Sequence, residues 1–337
     1  MKAMVLAAGY GTRLLPLTEG LPKPMVPVMN HPLFEHTLSL LSTNGITDIV
    51  ANLHHLPQKI TQHFGDGGAF GVRLHYSIED TILGTAGGIK AAQKLLQGNG
   101  SGTFLVINSD VLATIDLKKV VEFHKQKGSI LTLVLRRPSD PQRFECIKTD
   151  TNGRITHFPG VASAPVSEDT LMFTGIQIME PDFFSRIPTS EFCGTTENVF
   201  PAMIREGLPV YGYTHADYWS DLGCREDYLQ THWDILNGKL ALEGQASSLP
   251  IDHPAITPPV FVGNDCQISP SARIGPYAVL GNECQVGECA TVEYSVCWDG
   301  VSIGNATTVR HSIIGSRVVV GNEVNVNGES LADNKVG

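Results

Sequence analysis

The stretch LAAGYGTRLLPLTEGLPKPM, Leu6 to Met25, follows the apolar run MVLAA almost at the start of the chain. It opens with glycines and carries one arginine, Arg13, and one lysine, Lys23, which lies between two prolines. A loop that follows a strand at the carboxyl edge of an α/β sheet is where such folds bind ligands. Its unpaired backbone amides suit phosphate groups. We therefore predict a phosphate-binding loop in which Arg13 and Lys23 supply fixed positive charge.

Two common phosphate-binding patterns do not fit this loop. The pattern GxxxxGK[ST] of the P-loop is absent, and GYGTRL has Leu14 where the dinucleotide fingerprint GxGxxG has its third glycine. A dinucleotide site is therefore disfavoured.

The first two-thirds of the chain alternate between strand-like and helix-like segments. The strand-like segments are KAMVLAA, ITDIVANL, VRLHYSI, TFLVINSD and ILTLVLRR, and the helix-like segments are LFEHTLSLLSTNG, QKITQHF, TAGGIKAAQKLLQ, LKKVVEFHKQKG and REDYLQTHWDILNG. This alternation predicts βαβ units and an α/β fold with a mostly parallel sheet. FECIKTDTNGRITHF predicts a hairpin with Asn152 and Gly153 at its turn.

The last part of the chain repeats every six residues. Aliphatic side chains recur in phase from Val262 to Val292 and, after an interruption at CWDGV near Trp298, from Ile303 to Val326. A glycine often follows the aliphatic residue, and six-residue repeats predict a β-helix in which each hexapeptide supplies one short strand and a turn. We predict a nucleotide-binding domain over 1–238, a linker rich in serine and proline over 239–258 and a β-helix over 259–328.

Composition restricts the classes of partner. The chain has 337 residues, 42% of them hydrophobic and 17% charged, with a formal net charge of −10. This charge argues against nucleic acid and anionic membranes as partners. No signal peptide and no apolar run long enough to span a membrane is visible. The seven cysteines form no CxxC pair, so we expect free thiols in a cytoplasmic protein.

The stretch AAGYGTRLLPLTEGLPKPMVPV resembles the signature GxGTRLxPLT…PKPM of the sugar-1-phosphate nucleotidyltransferases. LGTAGGI (Leu83 to Ile89), FLVINSDVL (Phe104 to Leu112) and WSDLGC (Trp219 to Cys224) resemble later motifs of that family in the expected order. LGTAG and NSDV are similar to the mannose-1-phosphate guanylyltransferase branch, which binds GTP. The resemblance implies a Rossmann-like domain followed by a left-handed β-helix.

The resemblance also implies roles for individual residues. Arg13 would hold the β- and γ-phosphates of a nucleoside triphosphate, and Lys23 would face the sugar phosphate and the α-phosphorus. Asp110 and Asp221, two carboxylates that would repel each other if brought together, would share a Mg²⁺ ion. The glycine loop, these two carboxylates and the triphosphate would then converge in one cluster. The nucleotide would be contacted by Leu6, Ala8, Gly9, Gly11, Thr12, Arg13, Gly84, Thr85 and Gly87.

The segments that would read the sugar depart from the family's usual pattern. HFPG (His157 to Gly160) stands in place of an EKP-like tripeptide, RFEC (Arg143 to Cys146) in place of a tyrosine-glycine pair, and FTG (Phe173 to Gly175) in place of Asn-Ala-Gly. Gly175 matches, and Arg143 and Glu145 are candidate replacement contacts to the sugar phosphate. FTGI resembles uridylyltransferase and heptose-phosphate relatives, so the base and the sugar stay open.

Three other functions are consistent with the sequence. An acyltransferase centred on the β-helix would need a base, and His311 is the only histidine within the repeats, where a structural role is favoured. A non-catalytic sensor or regulatory subunit would bind the nucleotide sugar without turnover. A scaffold would use the β-helix to build a homo-oligomer, a role that can coexist with catalysis.

Overall fold

The computed structural model describes residues 1–97, 102–138, 140, 146–161, 169–188, 192–242, 253–332 and 335–336. We label the seven strands of the central sheet β1 (Lys2–Leu6), β2 (Asp48–Leu53), β3 (Arg73–Ile78), β4 (Phe104–Asn108), β5 (Leu131–Arg136), β6 (Met172–Met179) and β7 (Val210–Thr214). The α-helices are α1 (Leu33–Thr43), α2 (Pro57–Phe64), α3 (Gly84–Ala91), α4 (Gln93–Gln97), α5 (Leu117–Gln126), α6 (Phe200–Arg205) and α7 (Arg225–Leu236). Within these described ranges, no helix is both long and apolar enough to cross a membrane.

The chain forms two compact units that are not the two halves of the sequence. The first, which we call the sheet unit, comprises residues 1–10 and 37–219. The second, the β-helix unit, comprises residues 11–36 and 220–337. The glycine loop therefore leaves the sheet unit directly after Tyr10. The linear boundaries at 1–238, 239–258 and 259–328 stay a prediction, and residues 243–252 of the linker lie outside the described part of the chain.

The sheet unit contains the predicted mostly parallel sheet, in the order β7-β5-β6-β4-β1-β2-β3. Strand β6 alone among the seven is antiparallel to both of its neighbours. The chain runs outward from β1 through β2 to β3 and then returns to place β4 on the other side of β1. The sheet thus has a topological switch point between β1 and β4, where open α/β sheets bind ligands.

Most elements of this unit match the sequence prediction. The hairpin is confirmed by the antiparallel strands Lys148–Thr149 and Ile155–His157, with Gly153 at φ +84° in the turn. The helix predicted over TAGGIKAAQKLLQ is divided into α3 and α4, which end and begin on either side of Ala92. Strands β1 and β4 are buried over most of their length, which explains why both read as continuous apolar runs.

The β-helix unit carries the predicted stack of short parallel strands, consistent with a left-handed β-helix. Fourteen described strands between Val260 and Val336 form three parallel sheets of five, five and four strands. The inward aliphatic side chains form one buried core. Gln267 pairs with Gln285 eighteen residues later, and Gln285 pairs with Ser302 seventeen residues later.

The predicted interruption near Trp298 is wrong, because the stack continues through it. Strand Val296–Cys297 pairs with Val279 and Leu280 on one side and with Ile313 and Ile314 on the other. Cys297 is 1% exposed and takes the inward position that an aliphatic residue holds elsewhere. The step from Val292 to Cys297 is five residues, one fewer than the six of the repeat, so a search for aliphatic residues at a period of six loses the phase there.

A column of aromatic side chains lies at the corner of the β-helix where the five-residue steps between inward positions occur. Tyr277, Tyr294 and His311 follow one another on successive coils, and each has φ near +50°. The Tyr294 and His311 rings stack at 5.0 Å and 20°, and the indole of Trp233 on α7 lies edge-on to both. The exposed His311 thus ends a stack of aromatic rings, which supports its structural role over that of a catalytic base.

The segment that follows the glycine loop packs on the β-helix. The Trp298 Nε1 donates a hydrogen bond to the Tyr228 hydroxyl (3.0 Å), which in turn donates to the carbonyl of Pro27 (2.5 Å). A Cβ on Gly263 would lie 2.6 Å from the Asn30 amide nitrogen, and a Cβ on Gly315 would lie 3.5 Å from the Leu17 side chain. Residues 11–36 are thus fixed by the β-helix and by α7.

The buried His232 gives this unit a dependence on pH. Its Nδ1 donates to the carbonyl of Tyr228 (2.9 Å), and its Nε2 accepts from the amide of Met29 (3.3 Å), so both contacts suit the neutral ring. Burial, opposed in part by the hydrogen bond to Tyr228, lowers the pKa of His232 from 6.5 to about 4.

We expect the folded protein to lose stability as the pH falls from about 6.5 towards 4. In that window the unfolded chain binds a proton at this position and the folded chain does not. The loss from His232 alone should reach about 3 kcal/mol at the lower end. Urea unfolding of the native protein and of His232→Gln at pH 7 and pH 5 should show a smaller pH effect in the variant. An equal change in the free energy of unfolding between pH 7 and pH 5 in the two proteins would contradict the assignment. The other buried histidines, His36, His124 and His215, are present in both proteins.

Candidate functional site

The switch point of the sheet unit brings several predicted residues to one edge. Leu6 at the end of β1 pairs with Asn108 at the end of β4. The amide of Ser109 donates to the carbonyl of Leu6 (3.1 Å), so half-buried Asp110 follows β4 at this edge. Ala8 and the exposed Gly9 follow β1 at the same edge. The backbone that leaves β1 and the Asp110 carboxylate thus share the carboxyl ends of two neighbouring parallel strands.

Gly175 lies beside this edge. It has φ +80° at a register shift in β6, opposite the end of β4. A Cβ at this position would lie 2.7 Å from the amide nitrogen of Asn108. A glycine is therefore required both by the backbone conformation and by the side chain of Asn108.

A buried polar chain that the sequence did not reveal connects β1 to α3. The amide of Ala7 donates to the Asn52 Oδ1 (3.0 Å), and the Asn52 Nδ2 donates to the Glu79 Oε1 (2.7 Å). The other Glu79 oxygen accepts from the amide of Leu83 (3.1 Å). Asn52 and Glu79 are 3% and 5% exposed. Asn52 lies near the end of β2 and Glu79 directly after β3, and polar residues at such strand ends are the sequence signal that could have identified them.

The start of α3 is fixed by the segment around Cys193. The amides of Ala86 and Gly87 both donate to the carbonyl of Cys193 (2.9 and 3.1 Å). Gly84 has φ +75°, and a Cβ there would lie 2.5 Å from the same carbonyl oxygen. Gly84 therefore allows the backbone of Cys193 to approach, and the predicted approach of a nucleotide stays a prediction.

Thr85 at the same helix start is exposed but has a partner. Its hydroxyl accepts from the amide of Thr195 (2.7 Å) and lies 3.0 Å from the Thr195 hydroxyl. The π-helical turn Thr195–Val199 thus positions Thr85 from outside the predicted motif.

The rest of the glycine loop belongs to the β-helix unit. Gly11 has φ +67°, and a Cβ there would lie 3.0 Å from the Lys23 Cβ. The Thr18 hydroxyl donates to the carbonyl of Gly11 (2.9 Å) and closes the loop. Short 3₁₀ turns, Thr12–Leu14 and Lys23–Met25, carry the exposed Arg13 and the half-buried Lys23. Both cations are thereby placed on short hydrogen-bonded turns.

Arg13 and Asp221 meet at a glycine that the sequence prediction did not single out. A Cβ on Gly223 would lie 2.7 Å from the Arg13 Nη1 and 2.9 Å from the Asp221 Oδ1. The amide of Gly223 also donates to that carboxylate oxygen (3.1 Å). Residues that are more than 200 positions apart in the sequence thus form one charged site within the β-helix unit.

The two predicted ligands of the metal ion belong to different units. Asp110 lies in the sheet unit and Asp221 in the β-helix unit, so the convergence of the two carboxylates stays a prediction. Arg143 and Glu145, the predicted sugar contacts, lie outside the described residues. In the described ranges, no group of three or more histidine, cysteine, aspartate or glutamate side chains is arranged to hold a metal ion.

The charged site within the β-helix unit has the chemistry of a phosphate-binding centre. It offers the guanidinium of Arg13, a turn that contains Gly223 and the carboxylate of Asp221. Mg²⁺ commonly takes one or two protein carboxylates and completes its shell with substrate phosphates and water. One or two aspartates beside a bound triphosphate would therefore be enough to hold such an ion.

Two family models match the chain. Residues 2–238 match the model described as nucleotidyl transferase. Residues 256–337 match the model described as the GMPPB C-terminal domain.

Individual proteins are similar over most of the chain. A mannose-1-phosphate guanylyltransferase of Mycobacterium tuberculosis is 34% identical, with 81% of this chain and 76% of that protein covered. A UTP–glucose-1-phosphate uridylyltransferase of Synechocystis is 32% identical, with 88% and 84% covered. The crystal structure of HddC from Yersinia pseudotuberculosis aligns with a TM-score of 0.58 at 23% identity, covering 68% of this chain and 96% of that chain.

Proposed function

The chain belongs to the nucleotidyl transferase family, and from this premise we propose that it transfers a nucleotidyl group from a nucleoside triphosphate to a sugar 1-phosphate. A phosphate oxygen of the sugar 1-phosphate attacks the α-phosphorus in line. The bond from the α-phosphorus to the bridging oxygen breaks, and pyrophosphate leaves as the nucleotide sugar forms. The observation that carries the proposal is the meeting of Arg13 and Asp221 at Gly223.

The roles of the residues follow from their charges. The attacking phosphate is already an anion, so no general base is required, and catalysis is positioning together with neutralisation of charge. Arg13 holds the β- and γ-phosphates, and Lys23 faces the α-phosphorus and the sugar phosphate. Leu6, Ala8, Gly9, Gly11, Thr12, Gly84, Thr85 and Gly87 line the nucleotide, and Gly175, Arg143 and Glu145 line the sugar phosphate.

Asp110 and Asp221 are the proposed ligands of Mg²⁺. When bound, this ion supplies a positive charge against the triphosphate. The two carboxylates would hold this ion, and their mutual repulsion would fall in its presence.

For the substrates, we propose GTP and mannose 1-phosphate. The support is the similarity to guanylyltransferases and the match of the C-terminal model. The similar uridylyltransferase favours UTP with glucose 1-phosphate as the second candidate.

A screen for pyrophosphate release tests the proposal. The protein is incubated with Mg²⁺, each of five nucleoside triphosphates and a panel of sugar 1-phosphates. We expect release with GTP and mannose 1-phosphate, and release with UTP and glucose 1-phosphate would support the second candidate. Binding of a triphosphate or nucleotide sugar without release for any pair would instead support the non-catalytic regulatory subunit.

Gly223→Ala should lower turnover by about 10- to 100-fold, because small displacements of catalytic groups carry costs of that order. The new methyl group would overlap the end of the Arg13 side chain and the Asp221 carboxylate. Both are side-chain groups that can move, so the melting temperature should change little.

Gly102→Ala is the matched control, since Gly102 is exposed and a Cβ there meets nothing within 4 Å. Steady-state rates of both variants decide the question. Native turnover in Gly223→Ala would show that the space at Gly223 is not needed for catalysis.

We also propose a cytoplasmic homo-oligomer in which the β-helix contributes to the interface. Light scattering coupled to size exclusion, on the full chain and on variants of the exposed β-helix surface, measures the number of subunits.

A further inference from the structure

The first coils of the β-helix bring two cysteines into register. Cys266 and Cys284 directly precede Gln267 and Gln285, which pair in a parallel ladder. Adjacent strands lie about 4.8 Å apart, and disulfide-linked residues have Cα atoms about 4.4–6.8 Å apart. Both cysteines are free thiols. The backbone therefore places them within the range that a disulfide bond requires.

The two thiols differ in exposure. Cys266 is half-buried on the first of these coils, whereas Cys284 is 1% exposed one coil further along. The Cys266 Sγ lies 3.0 Å from the carbonyl of Gly281, and the Cys284 Sγ lies 3.2 Å from the carbonyl of Trp298. A reagent from solvent thus reaches Cys266 first.

The pKa shifts of the two thiols also favour Cys266 as the first to react. Hydrogen bonding from Cys284 lowers the pKa of Cys266, against burial and the charges of Asp265 and Asp299. The same interaction, together with burial, raises the pKa of Cys284. An accessible thiol of lowered pKa beside a second thiol is the arrangement found in oxidant-sensing cysteines.

Within the described residues, this column holds two thiols. The position that follows Cys284 on the next coil is Val301, because Gln285 pairs with Ser302. Cys297 is fully buried on a neighbouring strand. A pair of thiols suits a disulfide, whereas a structural zinc site needs four ligands.

We propose that Cys266 and Cys284 are a modification site, at which a peroxide converts the two thiols to a reversible disulfide. The Cys266 thiolate attacks a peroxide oxygen, the O–O bond breaks, and the leaving oxygen takes up a proton as water or an alcohol. The Cys284 sulfur then attacks the Cys266 sulfenic acid. The S–S bond forms, the S–O bond breaks, and the hydroxyl leaves as water with the thiol proton. The two thiols lose two electrons, which reduce one peroxide.

Peptide mapping by mass spectrometry tests the proposal independently of any transferase activity. The full chain is treated with one equivalent of hydrogen peroxide, blocked with N-ethylmaleimide under denaturing conditions and digested. We expect a cross-linked peptide pair containing Cys266 and Cys284, a loss of two hydrogen atoms per chain, and reversal by dithiothreitol. Complete alkylation of both cysteines after peroxide, or oxidation of Cys266 without the link, would overturn the proposal.

Variants test the order of the two steps. In Cys284→Ser the reaction should stop at a sulfenic acid on Cys266, which dimedone traps. In Cys266→Ser the buried Cys284 should stay reduced, whereas its oxidation would contradict the assigned order. Cys289→Ser removes an exposed cysteine and should leave the cross-link unchanged. Circular dichroism confirms that each variant is folded, and Cys284→Ala replaces Cys284→Ser if the serine variant does not fold.

Discussion

Arg13→Ala is expected to lower the rate of pyrophosphate release by about 100-fold or more, the usual cost of losing one preorganised group that neutralises charge in the transition state. The guanidinium would contact the phosphates that become the leaving group. Arg13 is exposed on a 3₁₀ turn of three residues, so its removal takes little from the packing. The melting temperature should therefore stay close to that of the native protein, while the rate measured with saturating substrates falls.

Two further variants make this test specific. Arg13→Lys keeps the charge but loses the planar fork that binds phosphate oxygens in pairs, so it should recover only part of the lost rate. Arg73→Ala removes an arginine that is exposed on β3 and should turn over normally. Near-native turnover in Arg13→Ala, with a control that behaves as expected, would refute the role of the glycine loop.

Asp110→Asn is the second substitution with a large expected effect, again a loss of about 100-fold or more in rate. The change keeps the shape of the side chain but removes the negative charge proposed to bind Mg²⁺. The variant should also require a higher Mg²⁺ concentration for half-maximal activity, which a change in folding alone would not produce. A titration of Mg²⁺ at fixed substrate concentrations measures this requirement.

The matched control is Asp182→Asn, which changes an exposed aspartate in the 3₁₀ turn Pro181–Arg186. Its rate and Mg²⁺ requirement should be those of the native protein. An Asp110→Asn variant with native turnover and an unchanged Mg²⁺ titration would remove Asp110 from the proposed metal site.

The sequence predicted the parts of the fold that depend on local patterns. The strands β1, β2, β4 and β5 are mostly apolar runs, α5 has a regular amphipathic pattern, and the β-helix has a repeat. Each of these is a short-range signal. Strands β6 and β7 were not identified. Strand β6 is interrupted by Gly175 at φ +80°, and its antiparallel pairing is decided by distant neighbours.

The site was predicted only where a motif marks it. Arg13, Lys23, Asp110 and Asp221 stand in recognisable stretches, but the residues that position them do not. Gly223 matters because of what would lie within 3 Å of a side chain there. Cys193 acts through its carbonyl oxygen, which any residue possesses. Such contacts depend on the folded chain and leave no pattern in the amino-acid sequence.

The hydrogen bonds from Trp298 through Tyr228 to Pro27 also bear on how the chain folds as it is made. The ribosome synthesises the glycine loop within the first few dozen residues, yet Trp298 follows 271 positions after Pro27. Until then the hydrogen bond from Trp298 to Tyr228 cannot form, and closing such a long loop is slow. The last quarter of the protein to be synthesised therefore completes the packing of one of its first segments, and a chain released before Trp298 would lack the bond that ties Tyr228 to the β-helix.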